Sequence, residues 1–125
     1  MLNSPDMMLT LSLGLVGLPE ATEFILRPDA DSGLVELIST AADGFDFIAS
    51  PLNRVRPGLR ERLVTQGDAG PSDLVLVLLA VHGEPAVVTA NLAGPIVVDP
   101  AAGTGRQLVL EGDDFPLRAA LSGPD

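Results

Sequence analysis

The sequence holds a single histidine, His82, which is the natural candidate for a general base because an imidazole titrates near neutral pH. A serine hydrolase would pair such a base with a nucleophile, and the sequence contains no Gly-x-Ser-x-Gly element. His82 precedes Gly83 at a predicted turn, which favours a surface histidine. One histidine and no cysteine also argue against a transition-metal site.

Aspartates occur in close pairs, and paired carboxylates perform acid–base chemistry when their surroundings separate their pKa values. The pairs are Asp29 with Asp31, Asp43 with Asp46, and Asp113 with Asp114. Each falls in a predicted turn, where aspartate is favoured for its hydrogen bonds to the backbone. The first pair has the spacing that opens a calcium loop, but the later ligands and the closing glutamate are missing. A hydrolase that uses Asp113 or Asp114 stays open as an alternative.

Two charged clusters are candidates for a protein contact. Four of the seven arginines fall within nine residues, at Arg54, Arg56, Arg60 and Arg62. An acidic corner follows later in the chain, at Glu111, Asp113 and Asp114. The arginines would suit an acidic partner and the acidic corner a basic one. The other interpretation of the arginine cluster is a solvated helix face whose side-chain stems cover apolar surface.

The composition narrows the classes of function. The 125 residues carry a net charge of −10 with no lysine, which disfavours binding to nucleic acid. The absence of cysteine excludes disulfides and thiol catalysis. The apolar run from Met7 to Leu18 lacks a basic flank, and no run approaches the length of a membrane span. We therefore predict a cytoplasmic protein with one domain over 1–125, whose ends at 1–6 and 122–125 are loose.

Short β-branched runs separated by glycine and proline predict a mostly β fold. The predicted strands are 9–13, 23–27, 34–39, 45–49, 74–81, 87–88, 96–98 and 106–110, with a last short segment at 115–121. One helix is predicted over Pro57–Thr65, because Pro57 suits a first turn and Leu59 and Leu63 share a face. These elements predict a small antiparallel barrel-like domain of about eight strands with one short helix.

The stretch from Val87 to Asp99 is predicted to form two strands joined by a polar corner. Asn91 can bond its own backbone, Gly94 can take a positive φ, and Pro95 suits the start of the second strand. None of these residues is a nucleophile or a proton shuttle. Backbone geometry alone accounts for their types.

The same corner carries a resemblance to a known family. The pattern begins with Thr89-Ala90-Asn91-Leu92-Ala93-Gly94-Pro95-Ile96-Val97-Val98-Asp99. A turn with Gly103 and Gly105 follows, and then come Gln107-Leu108-Val109-Leu110 and Phe115-Pro116-Leu117-Arg118. This pattern resembles the signature of the FliW family of flagellar assembly factors. The positions that carry the signature are Thr89, Asn91, Leu92, Pro95, Ile96, Gln107 and Arg118.

The resemblance implies a non-enzymatic β-barrel protein without a cofactor. It implies two competing protein partners, flagellin and the translational repressor CsrA, so that the protein relieves repression of flagellin translation. An acidic surface is compatible with a basic RNA-binding protein such as CsrA. Val16, Leu18 and Pro19 depart from the family pattern. The alternative is therefore a diverged barrel that binds another protein.

Overall fold

The computed structural model describes residues 6–121, and within them the chain forms nine strands and two short helices. Their bounds are β1 Met7–Leu11, β2 Glu23–Pro28, β3 Val35–Ser39, β4 Phe47–Pro51, α1 Leu52–Val55, α2 Leu59–Thr65, β5 Leu74–His82, β6 Val87–Ala90, β7 Ile96–Asp99, β8 Thr104–Gln107 and β9 Ala119–Ala120. The predicted loose ends fall outside the described residues, except for Asp6, whose carboxylate lies 3.2 Å from Arg27 Nε. No helix in the described part of the chain is long and apolar enough to cross a membrane.

Seven strands close into a barrel, which confirms the predicted mostly β, barrel-like fold. Their order is β4-β3-β2-β1-β8-β7-β5, and β5 pairs again with β4 to complete the ring. All neighbours in the ring are antiparallel except β1 and β8, which run parallel where Thr10 and Leu11 meet Thr104 and Gly105. Strand β6 pairs with the last residues of β5, and β9 pairs with β6 outside the ring.

Apolar side chains fill two cores on opposite faces of the barrel wall. The interior core is built around Leu9, Phe24, Leu37, Leu76 and Ile96, all fully buried. The second core lies where α1 and α2 cover the outer face, around Leu52, Leu59, Leu63, Val77 and Val97. Strand β5 therefore has both faces covered over Val75–Val77, as its continuous apolar run predicts.

The structure differs from the prediction at four elements. A second helix, α1, begins directly after Pro51, because fully buried Leu52 packs into the outer core. Strand β8 ends at Gln107, because Pro95, which lies opposite Leu108, has no N–H to complete the ladder. The N–H groups of Leu108 and Leu110 still donate to the carbonyls of Pro95 and Ala93. The other two differences are in the first and fourth strands, which lie at Met7–Leu11 and Phe47–Pro51.

Candidate protein-binding surface

The Asn91–Pro95 turn is stabilised by its own asparagine. Asn91 Oδ1 accepts hydrogen bonds from the N–H groups of Ala93 and Gly94, both at 3.0 Å. Leu92 is fully buried in the outer core, and its N–H donates to Pro116 at 3.0 Å. This turn therefore fixes where the C-terminal segment crosses the barrel end.

Gln107 connects three parts of the chain at this turn. Its Nε2 donates to the Gly94 carbonyl at 2.9 Å, and its Oε1 accepts the N–H of Val16 at 2.7 Å. The contact is close, because a Cβ at Gly94 would lie 2.6 Å from Gln107 Nε2. One glutamine side chain thus joins the turn, the end of β8 and the loop that follows β1.

The other signature residues divide between the core and the surface. Pro95 and Ile96 are buried where β7 begins, as predicted for a proline that opens a strand. Thr89 is buried, and its Oγ1 lies 2.9 Å from Nε2 of His82. His82 therefore ends β5 and bonds a neighbouring strand, instead of lying in a turn as the sequence predicted. Only Arg118 among the signature residues is exposed.

The four clustered arginines are directed to different acceptors. Arg54 donates to the Ser32 carbonyl at 2.6 Å, and Arg60 donates to the carbonyls of Pro71 and Asp73 at 2.9 and 2.6 Å. These two guanidinium groups join α1 and α2 to the loops beside them. They therefore act in the tertiary structure, whatever else they contact.

Arg56 and Arg62 converge on the acidic corner instead. Arg56 donates to the Asp114 carbonyl at 3.5 Å, and Arg62 lies 3.9 Å from the Asp114 carboxylate. The Arg62 guanidinium also lies 5.8 Å from the centre of the Phe115 ring. The structure thus brings together two clusters that the sequence analysis treated separately. Their opposite charges were the only signal in the sequence for this contact. Glu111 and Asp113 stay exposed beside it.

The paired aspartates serve loop structure. Asp29 accepts hydrogen bonds from Ser32 Oγ at 2.8 Å and from the Asp31 N–H at 3.2 Å, and these bonds hold its pKa below the ordinary value. Asp46 accepts the N–H of Ser39 at 2.9 Å. Within residues 6–121, no group of three or more His, Cys, Asp or Glu side chains is placed to hold a metal ion.

One end of the barrel carries most of the exposed large apolar side chains. Strands β1 and β3 end there, β2 and β4 begin there, and the β5–β6 connection extends from it. Among the described residues, seven of nine such side chains lie on its loops or on the β5–β6 hairpin: Leu13, Val16, Phe45, Val81, Val87, Val109 and Leu117. A monomer rarely concentrates apolar surface without a use for it, so this end is the candidate binding surface.

Residue types along the sequence did not identify these exposed residues as a binding surface. The predicted strand over 45–49 included Phe45, but Phe45 precedes β4 and is 66% exposed, whereas Phe47 packs against Phe24. An apolar residue in a loop can continue the alternating pattern of the strand next to it, so the pattern alone does not show where the strand begins. The turn signals around Phe45, at Asp43 and Gly44, were the available clue.

Comparison with known proteins decides the family. A model described as FliW protein matches residues 2–121 of the chain. The chain belongs to the FliW family. The resemblance to the FliW family is thereby confirmed, and the assignment of its signature to Thr89–Arg118 stays a prediction.

Individual FliW proteins align with most of the chain. It is 27% identical over 124 residues to flagellar assembly factor FliW 2 of Desulfotalea psychrophila, covering 94% of this chain and 82% of that protein. It is 31% identical over 117 residues to flagellar assembly factor FliW of Shouchella clausii, covering 86% and 79%. A crystal structure of the flagellar assembly factor FliW matches with a TM-score of 0.71 at 21% identity, covering 91% of this chain and 84% of that one. The barrel is therefore the fold of the family.

Proposed function

We propose that this protein is a non-enzymatic flagellar assembly factor of the cytoplasm that binds flagellin, CsrA or both. Membership of the FliW family over residues 2–121 is the observation that carries the proposal. Relatives that align with most of the chain are named flagellar assembly factors. In the proposed role, the protein holds CsrA away from flagellin messenger RNA until flagellin displaces it. When flagellin is exported, the protein is free to bind CsrA again, and translation of flagellin resumes.

The charge of the protein supports a basic partner. A net charge of −10 raises the encounter rate with a basic protein and repels the phosphates of the RNA that CsrA binds. The protein would thus act on CsrA and not on the messenger. Opposite charge sets the rate and the orientation of the encounter more than the final affinity.

We further propose that the acidic corner contributes to this contact. Glu111 and Asp113 are exposed, whereas the Asp114 carboxylate already faces Arg62. The Glu111→Gln/Asp113→Asn variant should therefore weaken CsrA binding, mainly through the association rate. The Asp31→Asn/Glu36→Gln variant, with the same change of charge at exposed positions elsewhere, is the matched control. Equal losses in the two variants would contradict a contact at the acidic corner.

The arginine cluster remains a candidate for an acidic partner segment. Arg54 and Arg60 are held by the carbonyls of neighbouring loops, whereas Arg56 and Arg62 meet Asp114 of the acidic corner. A partner that competes for Asp114 would free them. Charge reversal at Arg56 is the more informative variant, because its 3.5 Å hydrogen bond is long and Arg56 lacks the Phe115 contact that Arg62 makes.

Release of RNA from CsrA tests the proposed function. A labelled flagellin leader RNA is bound to CsrA, and this protein is added in increasing amounts while fluorescence anisotropy is recorded. The proposal predicts release of the RNA, and rebinding when purified flagellin is added. RNA that stays bound at saturating protein, together with no effect of flagellin, would contradict it.

A further inference from the structure

Arg118 differs from the other arginines of the chain. Five of the seven donate a hydrogen bond to an oxygen atom: Arg27, Arg54, Arg56, Arg60 and Arg106. Arg62 lies 3.9 Å from the Asp114 carboxylate. Arg118 has no hydrogen bond or ion pair among the described residues. Among the described residues, Arg118 is thus the arginine whose guanidinium is held neither by a backbone carbonyl nor by a carboxylate. Its position is also part of the family signature, and the turn geometry that explains Asn91 and Gln107 does not explain it.

Arg118 lies on the rim of an open groove at the apolar end of the barrel. The groove has a volume of about 450 Å³ and runs between the start of β4, the second half of β5 and the C-terminal segment. Its apolar lining includes Phe47, Leu78 and Leu117, and Leu117 is 68% exposed. None of the described residues that line it is acidic. The groove is therefore an apolar and cationic surface on an acidic protein.

The other polar side chains of the groove each make at least one hydrogen bond. His82 Nε2 and Thr89 Oγ1 lie 2.9 Å apart, and Asn91 Oδ1 accepts two backbone N–H groups. Arg118 is thus the polar side chain of the lining that makes no hydrogen bond among the described residues, which leaves its whole guanidinium group available to a ligand. A guanidinium group donates two parallel hydrogen bonds to a carboxylate, which fixes the orientation of what it binds.

We propose that this groove binds a segment of a protein partner in which a Glu or Asp side chain adjoins bulky apolar side chains. The apolar side chains would cover Phe47, Leu78 and Leu117, and the carboxylate would pair with Arg118. Charge complementarity selects this occupant, because the described lining holds the Arg118 guanidinium and no carboxylate. The inference deepens the proposed function. It rests on that function in one respect, which is that the occupant of the groove is a protein.

A peptide titration followed by NMR tests the groove directly. The ¹⁵N-labelled protein is titrated with acetyl-Leu-Glu-Leu-Leu-amide and, separately, with the same peptide carrying Gln in place of Glu. We expect saturable shifts concentrated at Leu78–His82, Thr89 and Leu117–Arg118. The Glu peptide should bind about threefold to tenfold more tightly than the Gln peptide, because an ion pair on a partly exposed apolar surface contributes modestly.

Two variants separate the ion pair from general effects of charge. Arg118→Met should remove the preference for the Glu peptide, whereas Arg27→Met, with the same loss of charge on an exposed arginine that pairs with Asp6, should keep it. Unchanged spectra elsewhere in Arg118→Met show that the variant is folded. Equal affinity for the two peptides, an unchanged preference in Arg118→Met, or shifts outside the groove would overturn the inference. The titration contains neither flagellin nor CsrA, so its failure leaves the proposed function to its own test.

Discussion

Side-chain amides organise the end of the barrel where the family signature lies. Asn91 closes one turn on itself, and Gln107 attaches that turn to β8 and to the loop after β1. Strand ladders stop at a corner, so backbone N–H and C=O groups there lack backbone hydrogen-bond partners. The Asn91 and Gln107 side chains supply those partners instead. Their role is to position neighbouring loops, and the groove beside Arg118 depends on that placement.

Removing the Asn91 amide should destabilise the protein more than removing an equivalent exposed acceptor. In Asn91→Ala two half-buried N–H groups lose their acceptor, which should lower the free energy of unfolding by about 1 to 2 kcal/mol. Asp99→Ala is the matched control, since Asp99 Oδ1 accepts the N–H groups of Ala101 and Ala102 in an exposed turn. Urea denaturation of both variants measures the difference. An Asp99→Ala loss as large as that of Asn91→Ala would contradict a structural role specific to this corner.

Asp29 should make stability depend on pH in acid. Hydrogen bonds from Ser32 and Asp31 lower its pKa in the folded protein from the ordinary value of 3.8. A lowered folded pKa contributes stability above the unfolded value and loses it as the pH falls through the folded pKa. Asp29→Asn should therefore be less stable than the original protein at pH 7, with a difference that shrinks below about pH 4. Thermal melts across pH 2.5 to 7 measure it. A difference that is constant over this range would contradict the assignment.

At the scale of elements, the closed ring depends on one parallel contact. Strands β1 and β8 meet over only two residue pairs, and Gly105 occupies this contact without a side chain. A Cβ at Gly105 would lie 2.8 Å from the Val97 carbonyl oxygen and 3.2 Å from side-chain atoms of Leu9 and Leu11. Glycine is therefore required here by the close approach of three strands, and its φ is not in the left-handed region.

Gly105→Ala should weaken the closure of the barrel. The added methyl group must displace backbone or buried leucine side chains, which should cost about 1 to 3 kcal/mol of unfolding free energy. Thr104→Ala changes an exposed position on the same strand and should cost much less. Urea denaturation compares the two, and hydrogen exchange at β1 and β8 locates the loss. A Gly105→Ala variant as stable as Thr104→Ala would contradict the close packing described here.

The sequence predicted local elements better than their arrangement. Alternation in Phe24–Leu26 and the apolar run of β5 specified strands, because burial on a sheet face dictates residue type directly. The parallel β1–β8 contact and the second helix were not predicted, since both depend on packing between residues far apart in the chain. For the same reason the contact between Arg62 and Asp114, 52 positions apart, was visible only in the structure. The predicted roles of the two charged clusters in partner binding remain to be tested.

At the scale of the whole molecule, charge and apolar surface are unevenly distributed. The chain carries a net charge of −10, while its exposed apolar side chains concentrate at one barrel end together with Arg118. A protein that binds two different partners in turn can use these two surfaces separately. The acidic surface attracts a basic partner over a long range, and the apolar barrel end offers a contact to the other partner. We expect higher salt to weaken the binding of CsrA more than that of flagellin, because screening acts on the charged contact.

Titration calorimetry with the organism's own flagellin and CsrA tests the central claim most directly. The protein is titrated with each partner separately at low and at moderate salt. The account predicts saturable binding to at least one of the two, with CsrA binding reduced at the higher salt concentration. No heat of binding with either partner, confirmed by the absence of a complex on size-exclusion chromatography, would contradict it.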